Sequence, residues 1–156
     1  MDRILVCIDG SPRGPAVVHA AVALATKVGG KLLLCRVVGV PAELPQHVWR
    51  LPEDSLYDSL RDGAQAYLSD CANSLGELVS DTFVLVGKPW SAICELARTQ
   101  RVDLVVIGSH GYGALDRVVG TNAARIVNHA PCSVLVVRSS DLFEPTATTG
   151  DVASTA

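Results

Sequence analysis

The chain has 156 residues, of which 49% are hydrophobic and 19% charged, and its net charge is −3 at pH 7. That length and composition fit one folded globular domain and argue against two ordinary domains or a disordered chain. The negative balance argues against a nucleic-acid partner, and no apolar run approaches the roughly 20 residues of a membrane helix.

Residues 4–8 form a short apolar run that ends at Asp9-Gly10-Ser11-Pro12. This reads as a buried strand meeting a turn. The run is too short for a signal peptide, so the protein is expected to be cytoplasmic. Pro15 suits the first turn of a helix, which would carry Val17, Ala20, Ala21, Leu24 and Val28 on its buried face. Gly29-Gly30 stops that helix, and a second apolar strand runs over residues 32–38. Strand, helix and strand in this order make a βαβ unit, whose parallel strands need cover on both faces.

Residues 39–52 hold three prolines and no periodicity, so they are expected to be a loop, with His47 and Trp49 able to cover a ligand or anchor the loop. A second helix is predicted from Glu53, with Leu56, Leu60, Ala64, Tyr67 or Leu68, Cys71 and Leu75 inward and Gly76 at its end. A third strand is predicted over residues 82–86. Gly87-Lys88-Pro89 then opens a helix that turns Ile93, Leu96 and Ala97 inward. Residues 104–107 form the fourth strand. A last helix over residues 120–129, presenting Ala123, Ile126, Val127 and Ala130, ends at Pro131 before a fifth strand at 133–137. From Ser139 the composition becomes rich in Thr, Ser, Ala and Asp, which predicts a disordered tail over 139–156 after a single domain over 1–138. Five cysteines without a CxxC pair are expected to be reduced and structural.

Five strands alternating with four helices predict an open, doubly wound α/β domain with a mainly parallel sheet and helices on both faces. Such sheets bind ligands beyond the carboxyl ends of the strands, where the strand order reverses. If strand one neighbours strand four across that reversal, Asp9, Gly10 and Ser11 would face the loop after strand four, with Val37 at the end of strand two beside them. That loop reads GSHGYGALDRVVGTN, from Gly108 to Asn122. Its glycines (Gly108, Gly111, Gly113 and Gly120) let a ligand approach the backbone, and the helix that follows offers unpaired N–H groups. Micromolar binding needs about 8 kcal/mol. A helix dipole supplies at most about 2 kcal/mol, so several charge-assisted hydrogen bonds must supply the rest.

At these residues the chain resembles the universal stress protein family, over nearly everything from Met1 to about Arg138. Asp9-Gly10-Ser11 is similar to the family's opening motif and Gly108-Ser109-His110-Gly111 to its phosphate loop. Gly120-Thr121-Asn122, followed by Ala130-Pro131-Cys132-Ser133 and the apolar run after it, is similar to its closing segment. The resemblance implies an adenine-nucleotide alpha-hydrolase-like, Rossmann-like fold and a stress-response regulator. ATP is the nucleotide it implies first, with ADP, AMP or cyclic AMP as the others and Mg²⁺ or Mn²⁺ bridging the phosphates.

Residue by residue, the resemblance implies that Asp9, with Gly10 and Ser11 beside it, meets the adenine or ribose, while the Val37 main chain bonds the adenine edge. Gly108, Ser109, His110, Gly111, Gly113, Gly120, Thr121 and Asn122 would lie about the ribose and phosphates. It also implies a homodimer joined through the last strand, Val134 to Val137. One departure stands out: eight residues separate Gly111 from Gly120, one fewer than in ATP-binding members.

Each assignment has a plainer counterpart. Asp9 could instead close its own turn or cap the first helix. His110 could be a solvated turn residue, and His129 suits a helix C-terminus. The shortened loop keeps open a family member that acts through protein contacts alone. An enzyme is not expected, because the chain has no Walker motif, no GxGxxG after the first strand and no GxSxG elbow. Slow ATP hydrolysis or self-phosphorylation stays compatible with these residues.

Overall fold

A computed structural model of the chain describes residues 1–39, 53–109 and 120–138. The predicted loop over 40–52, with His47 and Trp49, and the predicted tail over 139–156 lie outside them, as do His110, Gly111 and Gly113 of the glycine-rich stretch. Five strands alternate with four helices: β1 (Arg3–Cys7), α1 (Gly14–Val28), β2 (Lys31–Val38), α2 (Glu53–Leu75), β3 (Val79–Val86), α3 (Pro89–Thr99), β4 (Leu104–Gly108), α4 (Thr121–His129) and β5 (Ser133–Val137). All pairings are parallel and the order is β3-β2-β1-β4-β5. The sheet expected to be mainly parallel is therefore wholly so, with β1 at its centre and β3 and β5 at its edges.

Side-chain alternation along the strands divides the core in two. Ile4, Val6, Leu32, Leu34 and Val106 pack beneath α1 and α2, and Leu5, Leu33, Cys35, Val105 and Ile107 beneath α3 and α4. Both sets are almost wholly excluded from solvent, and no polar side chain is buried among the described residues. Parallel strands with helices on both faces require such continuous apolar runs. The inward face of α1 is Gly14, Val17, Ala21 and Ala25, whose small side chains bring the helix close to the sheet. Gly29 then adopts the left-handed conformation, φ +70°, and ends the helix.

Three residues expected to face inward do not. Val28 is 43% exposed, since it belongs to the last turn of α1 beside the terminating Gly29. Leu60 is exposed because α2 outruns its support: 23 residues span about 35 Å, against about 26 Å for the eight-residue β2. Contact begins at Ala64 and Leu68, both buried. Val127 is 50% exposed, because the nine-residue α4 lies at the β5 edge and turns only Ala123 and Ile126 fully inward. The third strand also begins earlier than expected, at Val79 rather than Thr82. Its extension is polar (Ser80, Asp81), and apolar pattern alone does not mark such an edge segment.

The five cysteines carry free thiols, in agreement with the expectation. No helix among the described residues is long and apolar enough to cross a membrane.

Asp103 fastens the sheet at its amino end. Its carboxylate accepts the N–H groups of Asp2 at 2.6 Å and Arg3 at 2.9 Å, while its own N–H donates to the Arg3 carbonyl. The Arg3 bond first and the Asp2 bond second hold its carboxyl below the ordinary range. A lowered folded-state pKa adds stability that is present above the unfolded value of about 3.9 and is lost as pH falls through the folded value. Asp103→Asn is therefore expected to melt earlier than the parent near pH 7, with the gap closing as pH drops below about 4. Melting curves across that range check this, and a gap independent of pH would assign it to something other than the charge.

Candidate functional site

Because the strand order reverses between β1 and β4, their carboxyl ends diverge and leave a crevice. A cavity of about 600 Å³ opens there, within the range of small-molecule sites. Its walls bring together Asp9, Gly10 and Ser11 from the turn after β1, Val37 from β2, Gly108 from β4, and Thr121 and Asn122 from α4. Seven of the twelve residues singled out in the sequence thus meet on one cavity.

The turn after β1 is built by its own side chains. Asp9 accepts the Ser11 N–H at 3.0 Å, Ser11 Oγ accepts the Arg13 N–H at 3.2 Å, and the Ser11 carbonyl accepts the Gly14 N–H at 2.9 Å. Asp9 therefore does close its turn, the plainer of its two roles, and it still stands on the cavity wall. Gly10 has φ +76°, a conformation that side-chain-bearing residues rarely adopt. Arg13 is the N-cap residue of α1 and is not among the cavity's lining residues.

At the other end, Gly120 is the N-cap of α4 and supplies no side-chain cap. The first helical residues, Thr121, Asn122 and Ala123, all line the cavity. The opening N–H groups of any helix lack intrahelical acceptors, and the positive end of the dipole is centred on them. Unpaired N–H groups of this kind suit an anion. Ser109 is placed differently from the rest, since its N–H donates to the Val137 carbonyl at 2.9 Å and so serves the sheet. Gly120 stands one residue before the lining, while His110, Gly111 and Gly113 lie outside the described residues.

Between these polar ends the wall is apolar, formed by Cys7, Cys35, Ile93, Ile107 and Ile126 among others. Sequence reasoning did not select these residues, although alternation places Cys7, Cys35 and Ile107 on one face at the strand ends. A hydrogen bond with Cys35, and then burial, push the Cys7 thiol well above its ordinary range. It is protonated at neutral pH and behaves as a soft apolar surface rather than a nucleophile. Asp9 is the one charged side chain among the described lining residues. No group of three or more His, Cys, Asp or Glu able to hold a metal occurs among the described residues.

His129 and His19 both stand outside the cavity's lining. His129, in the last turn of α4, packs edge-on against Trp90 with ring centroids 5.2 Å apart, and Arg125 lies over the same indole at 5.8 Å. His19 is exposed on the outer face of α1.

Comparison with known proteins gives a consistent family. The profile described as the Universal stress protein family matches residues 1–138. A Staphylococcus aureus (strain USA300) protein carrying the universal stress protein name is 31% identical over 152 residues, covering 92% of this chain and 89% of its own. A universal stress protein from Lactobacillus plantarum superposes with a TM-score of 0.68 at 28% identity, over 88% of this chain and 97% of its own. Another universal stress protein, solved in complex with cAMP, gives a TM-score of 0.60 at 24% identity, over 89% and 98%.

Proposed function

Because the chain belongs to the universal stress protein family, we propose that it is a stress-response regulatory protein that binds an adenine nucleotide, ATP foremost, in the cavity between β1, β2, β4 and α4. The observation that carries this reading is the pairing of an apolar cleft with the α4 N-terminus, which has no side-chain cap of its own. The base would lie against Cys35, Val37 and Ile107, with the Val37 main chain bonding its edge. Asp9, Gly10 and Ser11 would bound the ribose. Gly108, Ser109, His110, Gly111, Gly113, Gly120, Thr121 and Asn122 would lie about the phosphates, with main-chain amides as the donors.

Asp9 is the one carboxylate among the described lining residues, so a divalent cation would be held chiefly by phosphate oxygens. A universal stress protein of the same fold was solved in complex with cAMP, which supports nucleotide binding as such. A lining with no basic side chain among its described members suits the single charge of a cyclic nucleotide as well as it suits ATP. β5 is an edge strand, and pairing with a second copy through Val134 to Val137 would satisfy its free hydrogen-bonding groups. The role assigned is binding rather than turnover.

Calorimetric titration with ATP, ADP, AMP and cyclic AMP, with and without Mg²⁺, tests the reading. Binding in the micromolar to millimolar range is expected, and absence of heat with all four would count decisively against it. Gly111→Val is expected to lose binding while folding normally, because a branched side chain would occupy the phosphate cradle. Unchanged affinity in that variant would refute the phosphate assignment. Should the titrations be silent while a partner is captured without nucleotide, the second reading, a family member acting through protein contacts, takes over. The shortened loop favours that second reading.

A further inference from the structure

Arg36 precedes Val37 on β2 and so faces the opposite side of the sheet, toward α2. Its guanidinium carbon lies 5.3 Å from the centre of the Tyr67 ring, within cation–π range. The same group also fills the place where a Gly10 side chain would stand. A Cβ there would run into Arg36 Nη2 and come within 2.8 Å of Cζ. The Tyr67 hydroxyl reaches the start of α1 as well, 3.6 Å from where a Cβ on Gly14 would be. Burial, then Cys71, raise the Tyr67 pKa; Arg36 opposes the rise and Asp9 adds to it, so the charges of both residues reach that phenol. Asp9, Gly10, Arg36 and Tyr67 therefore converge on one corner, behind the turn that bounds the cavity.

Resting on the nucleotide reading, we propose that Arg36 is a positioning residue of the site. Clasped on Tyr67, its guanidinium holds the Asp9–Gly10–Ser11 turn from behind. In this way α2, which contributes no residue to the described cavity wall, sets where Asp9 stands. Gly10 is required by its positive φ, whereas the guanidinium in its side-chain space is the far end of a flexible side chain that a Cβ would push aside. A lysine would not replace the arginine, because a compact ammonium lacks the planar fork that can stack on the ring and still reach the turn.

Amide exchange measured by NMR on ligand-free protein, together with ATP titration, tests this in Arg36→Ala, Gly10→Ala and the double variant. In Arg36→Ala the Ser11 and Gly14 amides are expected to exchange about fivefold faster, and ATP to bind about fivefold more weakly, matching the loss of one exposed cation–π contact. Amides of the core, such as Leu33 and Val105, are expected to keep their parent rates, which a general loss of stability would not allow. Gly10→Ala is expected to perturb both readouts more strongly, because its φ is positive and its Cβ displaces the guanidinium, and adding Arg36→Ala is then expected to change them little further. Unchanged Ser11 and Gly14 exchange in Arg36→Ala, or effects that simply add in the double variant, would overturn the proposal. Faster exchange with unaltered ATP affinity would overturn the positioning role as well. If the parent protein binds none of ATP, ADP, AMP and cyclic AMP, the nucleotide reading fails, while the exchange data still decide whether Arg36 holds the turn.

Discussion

Ala123→Phe is expected to remove nucleotide binding while leaving the protein folded. Ala123 lies in the first turn of α4, is 5% exposed, and lines both the cavity and the core beneath α3 and α4. Adding bulk to a packed interior usually costs about 1–3 kcal/mol. Here the ring has a cavity of about 600 Å³ to enter, so the cost should fall at the low end. The same ring would stand where a ligand's phosphates meet the α4 amides. A hydrogen bond to a charged group is worth about 1.5–3 kcal/mol. Losing two of them weakens binding by roughly 100-fold or more. Calorimetry with ATP, beside a melting curve, reads both halves of the expectation. A folded variant with parental affinity would place the ligand elsewhere.

The largest expected loss of stability is at Leu5. It lies on the central strand, fully buried, with Leu33 in register on one side and Val105 on the other. Cys7, Cys35 and Ile107, which line the cavity, stand two residues further along the same face. Leu5→Ala would open a void with packed neighbours on both sides and no solvent to fill it, at about 3 kcal/mol. For a domain of this size that is roughly 10 °C in melting temperature. Chemical denaturation should show a lower midpoint at unchanged slope. A loss below about 1 kcal/mol would mean that the α3 and α4 layer closes over the gap, contrary to the dense packing expected of such cores.

Much of this architecture could be read from residue order, and the reasons are specific. Ile4 to Ile8 and Leu104 to Ile107 are unbroken apolar runs, and Leu32 to Val38 is interrupted only by Arg36, as suits strands covered on both faces. Each ends at a residue of distinct chemistry or shape: Asp9 and Gly10, Gly39, or Gly108. Strand order could not be read from any of them. It entered as a condition, and the pairing of Ile4 with Leu104 and Val6 with Val106 supplied it. Seven of the residues singled out line one cavity because each stands at the end of such a run or at a helix start.

Other features were invisible for physical reasons. Cys7 and Cys35 look like ordinary core residues until register sets them side by side. Arg36 in an apolar strand gives no hint that its guanidinium will fill the space above a glycine 26 positions earlier, because that depends on chain crossing rather than local pattern. Val28, Leu60 and Val127 satisfied the helical period and still faced solvent, since periodicity marks a potential face and only the sheet's extent decides how much of it is covered.

The central place of β1 bears on when the site comes into being. Chains are made from the amino end, so β1 and β2 have both left the ribosome well before Leu104, the partner of Ile4, which arrives one hundred codons later. The early βαβ half carries the Asp9 turn and Val37 but has nothing opposite them to seize an anion. Nucleotide present during synthesis thus has no early template to act on. It would act late, by mass action, stabilising the docking of β4 and α4 once they arrive.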